Sequence, residues 1–151
     1  MARHGYEDDI DDPLAIGRWR GNVKRAISGK RGQAFLRDLA AALDAMPEKR
    51  LVSGVLQAKD GDCCAIGAVC KARGKDYTSH EDDEPYDLEE LNAALAGELN
   101  IAQCLVQEAE YENDEGPQAE TPEQRWQRMR RWVSKKLGQP TDEVVLGVAA
   151  G

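Results

Sequence analysis

Apolar side chains recur at helical spacing through most of this chain. Ile16, Trp19, Val23, Ala26 and Ile27 fall on one face, which predicts a helix from about Leu14 to Ile27. Phe35, Leu39, Ala42, Leu43 and Met46 repeat at i, i+4, i+7, i+8 and i+11, the pattern of an amphipathic helix. Ser28-Gly29-Lys30-Arg31-Gly32 breaks the pattern between the two runs. Met46-Pro47 closes the second, because the residue before a proline is pushed out of the helical region. Together the runs predict a helical hairpin. Further along, Leu88, Leu91, Leu95 and Leu99 predict a helix beginning near Asp87, with Asn100 as its junction to another. That next helix carries Ile101, Leu105 and Val106 to about Glu112, and Asn113-Asp114-Glu115-Gly116-Pro117 ends it. In Thr121-Pro122-Glu123-Gln124, Thr121 can cap, Pro122 suits the first helical position and Gln124 can complete a capping box. The helix that starts there runs to about Leu137, with Trp126, Met129, Val133 and Leu137 facing inward.

Between these runs the pattern is weaker. Leu51, Val52, Val55 and Leu56 fit a short helix or a strand, and Asp60-Gly61 is a tight-turn signal. Small apolar residues from Cys63 through Val69 read as a short buried helix ending near Gly74, and the acidic stretch to residue 86 as an exposed loop. The expected fold is mainly α: a compact helical bundle, with a small β-hairpin left open around residues 51–64. Residues 1–13 read as an acidic arm, 14–138 as the helical domain and 139–151 as a tail whose Val144, Val145 and Leu146 add a strand or lie loose.

Composition agrees with helices: hydrophobic residues make up 41% and aromatic residues only 5%, with Phe35 the one phenylalanine. The formal net charge of −8 argues against indiscriminate adhesion of the whole molecule to nucleic acid or anionic membrane. No run after Met1-Ala2-Arg3-His4-Gly5 reads as a signal peptide, and none approaches the length of a membrane span. The expected location is a reducing bacterial cytoplasm, where Cys63, Cys64, Cys70 and Cys104 stay thiols.

Charge is sorted along the chain, and this is where chemistry enters. Arg18, Arg20, Lys24, Arg25, Lys30 and Arg31 form a basic cluster around a helix start, where unpaired N–H groups and the helix dipole favour an anion. It is no P-loop, since Lys24 stands where that motif requires a glycine. The plainer reading is a solvated helix face balanced by the chain's own carboxylates. Glu81, Asp82, Asp83, Glu84, Glu108 and Glu110 are candidates for an acidic surface facing a partner. On the last helix, Arg128 and Arg131 share the face opposite the apolar stripe and Trp132 lies at its edge. That combination suits an interface hot spot, or equally a tryptophan covering the core rim.

The stretch Leu95 to Val106 resembles a helix-turn-helix pattern, with Asn100 at the turn. Its second helix would bring Gln103, Gln107, Glu108 and Glu110 to DNA, and those carboxylates would be repelled by phosphates. A plain helical corner is the expected outcome. Cys63, Cys64 and Cys70 lack the paired spacing of a zinc site and read as small core residues, so no metal and no cofactor are expected. With His4 and His80 the only histidines, and no G-x-S-x-G motif, the sequence points away from catalysis.

The segments Trp19-Arg20-Gly21, Lys30-Arg31-Gly32-Gln33-Ala34-Phe35-Leu36-Arg37 and Leu43-Asp44-Ala45-Met46-Pro47-Glu48-Lys49-Arg50-Leu51 resemble a recurrent family of small uncharacterised proteins of phages and prophages of Gram-negative bacteria. Asn113-Asp114-Glu115-Gly116 and Glu120-Thr121-Pro122-Glu123-Gln124-Arg125-Trp126 belong to the same resemblance. No catalytic or binding residue comes with it. It implies an accessory protein that acts stoichiometrically, by binding and inhibiting a host defence or regulatory protein, with acidic segments matching a basic partner. The alternative expectation is nucleic-acid or nucleotide binding through the basic helix hairpin of residues 18–37.

Overall fold

One residue, Gly29, makes the whole connection between the first two helices of the computed structural model, α1 (Pro13–Ser28) and α2 (Lys30–Ala45). Residues 13–79 and 87–138 are described. The expected acidic arm, the acidic stretch Glu81, Asp82, Asp83 and Glu84, and the tail from residue 139 lie outside them. The break expected over Ser28–Gly32 is therefore narrower than its glycines imply, and Lys30, Arg31 and Gly32 form the first turn of α2. Gly32 is needed for this. A Cβ there would lie 1.8 Å from the carbonyl oxygen of Ala26 and 2.9 Å from that of Ile27, so the backbones of the two helices touch directly.

After α2, Met46 turns the chain away and residues 46–64 follow an irregular path. The hairpin left open around residues 51–64 reduces to a turn: Ala58 N–H donates to the Asp62 carbonyl at 2.7 Å, and a single antiparallel bridge joins Gln57 to Cys63. Gly54 at φ +84 interrupts the outgoing arm, and α3 (Ala65–Ala72) begins too soon for a returning one. Cys64 caps α3, its sulfur accepting from the Gly67 N–H at 3.4 Å. Every residue of α3 from Ala65 to Cys70 is buried, as the run of small apolar residues predicts.

Asp87 caps α4 (Leu88–Leu99) by accepting from the N–H groups of Glu89 and Glu90. Asn100 ends it in the left-handed region, at φ 56 and ψ 49, a conformation asparagine tolerates better than most residues. The inward stripe is Asn92, Leu95 and Leu99, whereas Leu88, expected inside, is 58% exposed. Helix α5 (Gln103–Asp114) follows the short Ile101–Ala102 link, and α6 (Pro122–Lys136) opens on the expected capping box between Thr121 and Gln124.

Packing makes α5 the centre of the bundle. It lies against α1, α3, α4 and α6, while α2 packs on α1, α3 and α6. Phe35, Leu36, Leu39 and Leu43 from α2 meet Ile66 and Val69 from α3, Leu105 and Val106 from α5, and Met129 and Val133 from α6 in one buried cluster. Trp126 closes its edge, the indole N–H donating to the Leu43 carbonyl at 3.1 Å. No described helix is long and apolar enough to cross a membrane.

Candidate functional site

The tight α1–α2 corner gathers the basic cluster. Arg18, Arg20, Lys24 and Arg25 are exposed along α1, and Lys30 and Arg31 are exposed at the start of α2. Arg18, Arg20 and Lys24 each already make an interaction of their own. Arg25, Lys30 and Arg31 do something different: with Gly29, Gly32 and Ala102 they line a cavity of about 180 Å3. Arg25 donates to the Asn22 side chain, and Arg31 reaches the Asn100 Oδ1 at 3.4 Å. Neither these two nor Lys30 pairs with a carboxylate among the described residues.

Two helices begin at that cavity. Gly29 precedes α2 and Ala102 precedes α5, and neither supplies a side-chain cap. In α2 the first N–H with a backbone acceptor is that of Gln33, to the Gly29 carbonyl, whereas in α5 the Leu105 N–H already donates to the Ala102 carbonyl at 3.0 Å. Each helix start carries the equivalent of about half a positive charge. Three side-chain cations and two helix starts thus surround one concavity. Its chemistry is that of an anion site, suited best to phosphate oxygens, which accept from guanidinium, ammonium and backbone N–H alike.

The acidic candidates are placed differently. Glu108 is buried at 8% exposure, and Glu110 is half-buried, because both belong to the central helix. From Gln103 to Asn113 no residue of α5 is exposed, so neither an acidic surface nor a recognition helix is available there. The Leu95–Val106 stretch is a helical corner.

Glu110 instead lines a second cavity, of about 260 Å3, together with Asp114 one turn further along α5. Its walls are apolar, formed by Val55 and Leu56 from the irregular segment and Leu88 and Leu91 from α4, with Cys64, Tyr77 and Ser79 completing the lining. Burial pushes the Glu110 carboxyl up to about 7, and the neighbouring Asp114 charge adds to the rise. Its Oε1 is buried without a hydrogen-bond partner. Because the folded protein holds this proton more tightly than the unfolded chain, with its ordinary value of 4.5, stability falls as pH rises from about 4.5 to about 7. Glu110→Gln is expected to remove that slope and raise stability above pH 7, read from urea midpoints across the range. A variant whose pH profile parallels the wild type would refute it.

The interface candidates on α6 separate. Trp132 is buried at 9% exposure beside Met129 and Val133, at the i, i+3, i+4 spacing of one helix face, so it belongs to the core rim. Arg128 is committed internally, pairing with the Glu120 carboxylate at 2.7 Å and donating to the carbonyls of Glu112 and Asn113. Arg131 alone of the three is exposed. Burial raises all four thiols, Cys64 to about 12 and Cys70 to about 11.

No family model matches the chain, and no curated protein or solved structure matches it at a significant level. The basic corner was visible in the sequence because its cations lie within fourteen consecutive positions, from Arg18 to Arg31. The part played by Ala102 was not, since an alanine carries no signal of a binding role. The Glu110 cavity was missed as well: its lining comes from five separated stretches that only the fold brings together.

Proposed function

We propose that the protein acts stoichiometrically, as a binding protein, and that the α1–α2 corner takes the phosphate groups of a nucleic acid or nucleotide. The observation carrying this reading is the convergence of Arg25, Lys30 and Arg31 with the uncapped starts of α2 and α5 on one cavity. The resemblance to phage and prophage proteins supplies the context: in an infected bacterial cell, occupying a nucleic acid or nucleotide handled by a host defence or regulatory system blocks that system. An acidic docking face for a basic host protein has less support, because Glu108 is buried and Glu110 faces a cavity.

Calorimetric titration with duplex DNA, single-stranded RNA and free nucleoside triphosphates tests the reading and separates its two phosphate sources. One of these ligands is expected to bind saturably, and Lys30→Glu/Arg31→Glu to weaken that binding by about a hundredfold, two charge-assisted contacts being lost. Carboxylates suit a helix N-terminus, so the double variant is expected to stay folded. Absence of saturable binding to all three ligands, or binding that the double variant leaves intact, would contradict the proposal.

A further inference from the structure

The cations of the α1–α2 corner continue onto the outer face of α2 and α6. We infer that the partner is double-stranded DNA, gripped by its phosphates along that face; this deepens the proposed reading of the corner and rests on it. Gln33 bolts the end of α6 to the corner. Its Nε2 donates to the carbonyls of Ile27 at 2.8 Å and Lys136 at 3.1 Å, and its Oε1 accepts from the Gly138 N–H at 2.6 Å. At the far end Asp44 of α2 pairs with Arg130 of α6 at 2.8 Å. The two helices therefore run side by side in opposite directions. Arg37 lies between these anchors, one turn beyond Gln33 and two turns beyond Lys30. On α6, Arg131 and Lys135 follow Arg130 and Ser134, the hydrogen-bonded pair beside the seam, and so stand one turn apart on its outer side.

Arg37, Arg131 and Lys135 are exposed, and none pairs with a carboxylate among the described residues. Carboxylates are scarce on both helices. The two acids of α2, Asp38 and Asp44, are each paired with an arginine, and α6 has no acid after Glu123 in its first turn. In a chain of net charge −8 this is a cationic face without its counter-charge, and its complement is a polyanion. A lone nucleotide is too small for it. Beside its cations the corner cavity is lined only by Ala26, Gly29, Gly32 and Ala102, so no side chain there stacks on a base. From Lys30 to Arg37 alone is about 10 Å of helix, and DNA carries one charge per about 1.7 Å of its axis. Single strands are held on aromatic platforms, but Phe35 and Trp132 are buried and Trp126 carries Lys49 over its ring. Duplex RNA is gripped partly through its 2′-hydroxyls, and the polar groups beside these cations are engaged already, Ser134 by Arg130 and Gln33 by backbone. Exposed Ala34 and Ala41 keep the α2 surface low enough for a stiff duplex to lie across it.

Arg37→Gln/Arg131→Gln/Lys135→Gln removes the face, breaks no described ion pair and leaves the corner cavity untouched. Its binding is compared with that of the wild type and of Lys30→Glu/Arg31→Glu, using a duplex DNA of about 20 base pairs, the corresponding single strand, the equivalent duplex RNA and adenosine triphosphate. The wild type is expected to bind the DNA duplex at least about tenfold more tightly than any of the other three. The triple variant should lose about a hundredfold in duplex affinity near 0.1 M salt, with a salt slope shallower by about 2 to 3, and keep its triphosphate affinity within about twofold. The corner's own slope is that of a ligand too short to reach the face. Duplex affinity unchanged in the triple variant, or a DNA duplex bound no more tightly than the single strand, the RNA duplex or the triphosphate, would overturn the inference. The corner reading survives either result if Lys30→Glu/Arg31→Glu weakens what binds, whereas absence of saturable binding by all four ligands contradicts both.

Discussion

Gly32→Ala is expected to destabilise the fold by about 3 kcal/mol, one of the two largest single-site effects anticipated in this protein. The added Cβ would sit 1.8 Å from the Ala26 carbonyl oxygen and 2.8 Å from its carbon, and both atoms are backbone. No side-chain rotation relieves such a contact. Only a retreat of α2 from α1 does, and Phe35 and Leu36 one turn later are fully packed in the core. Intrinsic preference runs the other way, since alanine is favoured over glycine inside a helix by about 1 kcal/mol. Steric overlap decides the sign. Denaturant titration of the variant is the measurement, and a midpoint at or above the wild type would show that the corner is looser than the close approach implies. Because Lys30 and Arg31 lie on the same turn, the variant is also expected to lose affinity at the basic cavity.

Glu120→Gln is expected to cost about 3 kcal/mol as well, for an electrostatic reason. The Glu120 side chain is only 4% exposed, and its oxygens lie 2.7 Å from Arg128 Nε and 3.5 Å from Arg125 Nε. Both guanidinium groups also close the end of α5, donating to the Asn113 carbonyl, while Arg125 reaches the Leu51 carbonyl at 3.2 Å. Glutamine keeps the volume but leaves two largely buried cations without their counter-charge, which is far more costly than losing an exposed ion pair. Asn113 completes the junction, accepting from the Ala65 N–H at 3.0 Å and donating to the Val52 carbonyl at 2.9 Å. Through these contacts Glu120 holds α3, α5, α6 and the Leu51–Val52 segment in register. Urea unfolding with and without added salt is the check. A loss below about 0.5 kcal/mol would mean that Arg125 and Arg128 are solvated well enough not to need the carboxylate.

What could be read from the sequence was local. The start of α6 was legible because Thr121, Pro122 and Gln124 carry their signal within four positions, and the turn at Asn100 because asparagine is one of few residues suited to the left-handed region. The inward stripes of α1 and α2 were legible from periodicity. Periodicity failed at Leu88, which continues the stripe of α4 in register yet is exposed, because burial depends on what packs opposite. It failed again at Glu108 and Glu110. A carboxylate-rich helix looks solvated until its neighbours are known, and α5 has neighbours on every side. Arg128 was misjudged for the same reason, its partners Glu120, Glu112 and Asn113 being supplied by the loop before α6 and the end of α5. The candidate site divides along the same line. Arg25, Lys30 and Arg31 are neighbours in sequence, whereas Ala102, Val55 and Leu91 reach their cavities only through tertiary packing.

Salt dependence tests the phosphate-binding role most directly. Three side-chain cations meeting phosphates predict that the logarithm of the association constant falls with the logarithm of salt concentration at a slope of about −2 to −3. Removing Lys30 and Arg31 together should flatten that slope to about −1. A slope near zero in the wild type, or an unchanged slope in the double variant, would place any observed binding elsewhere on the molecule.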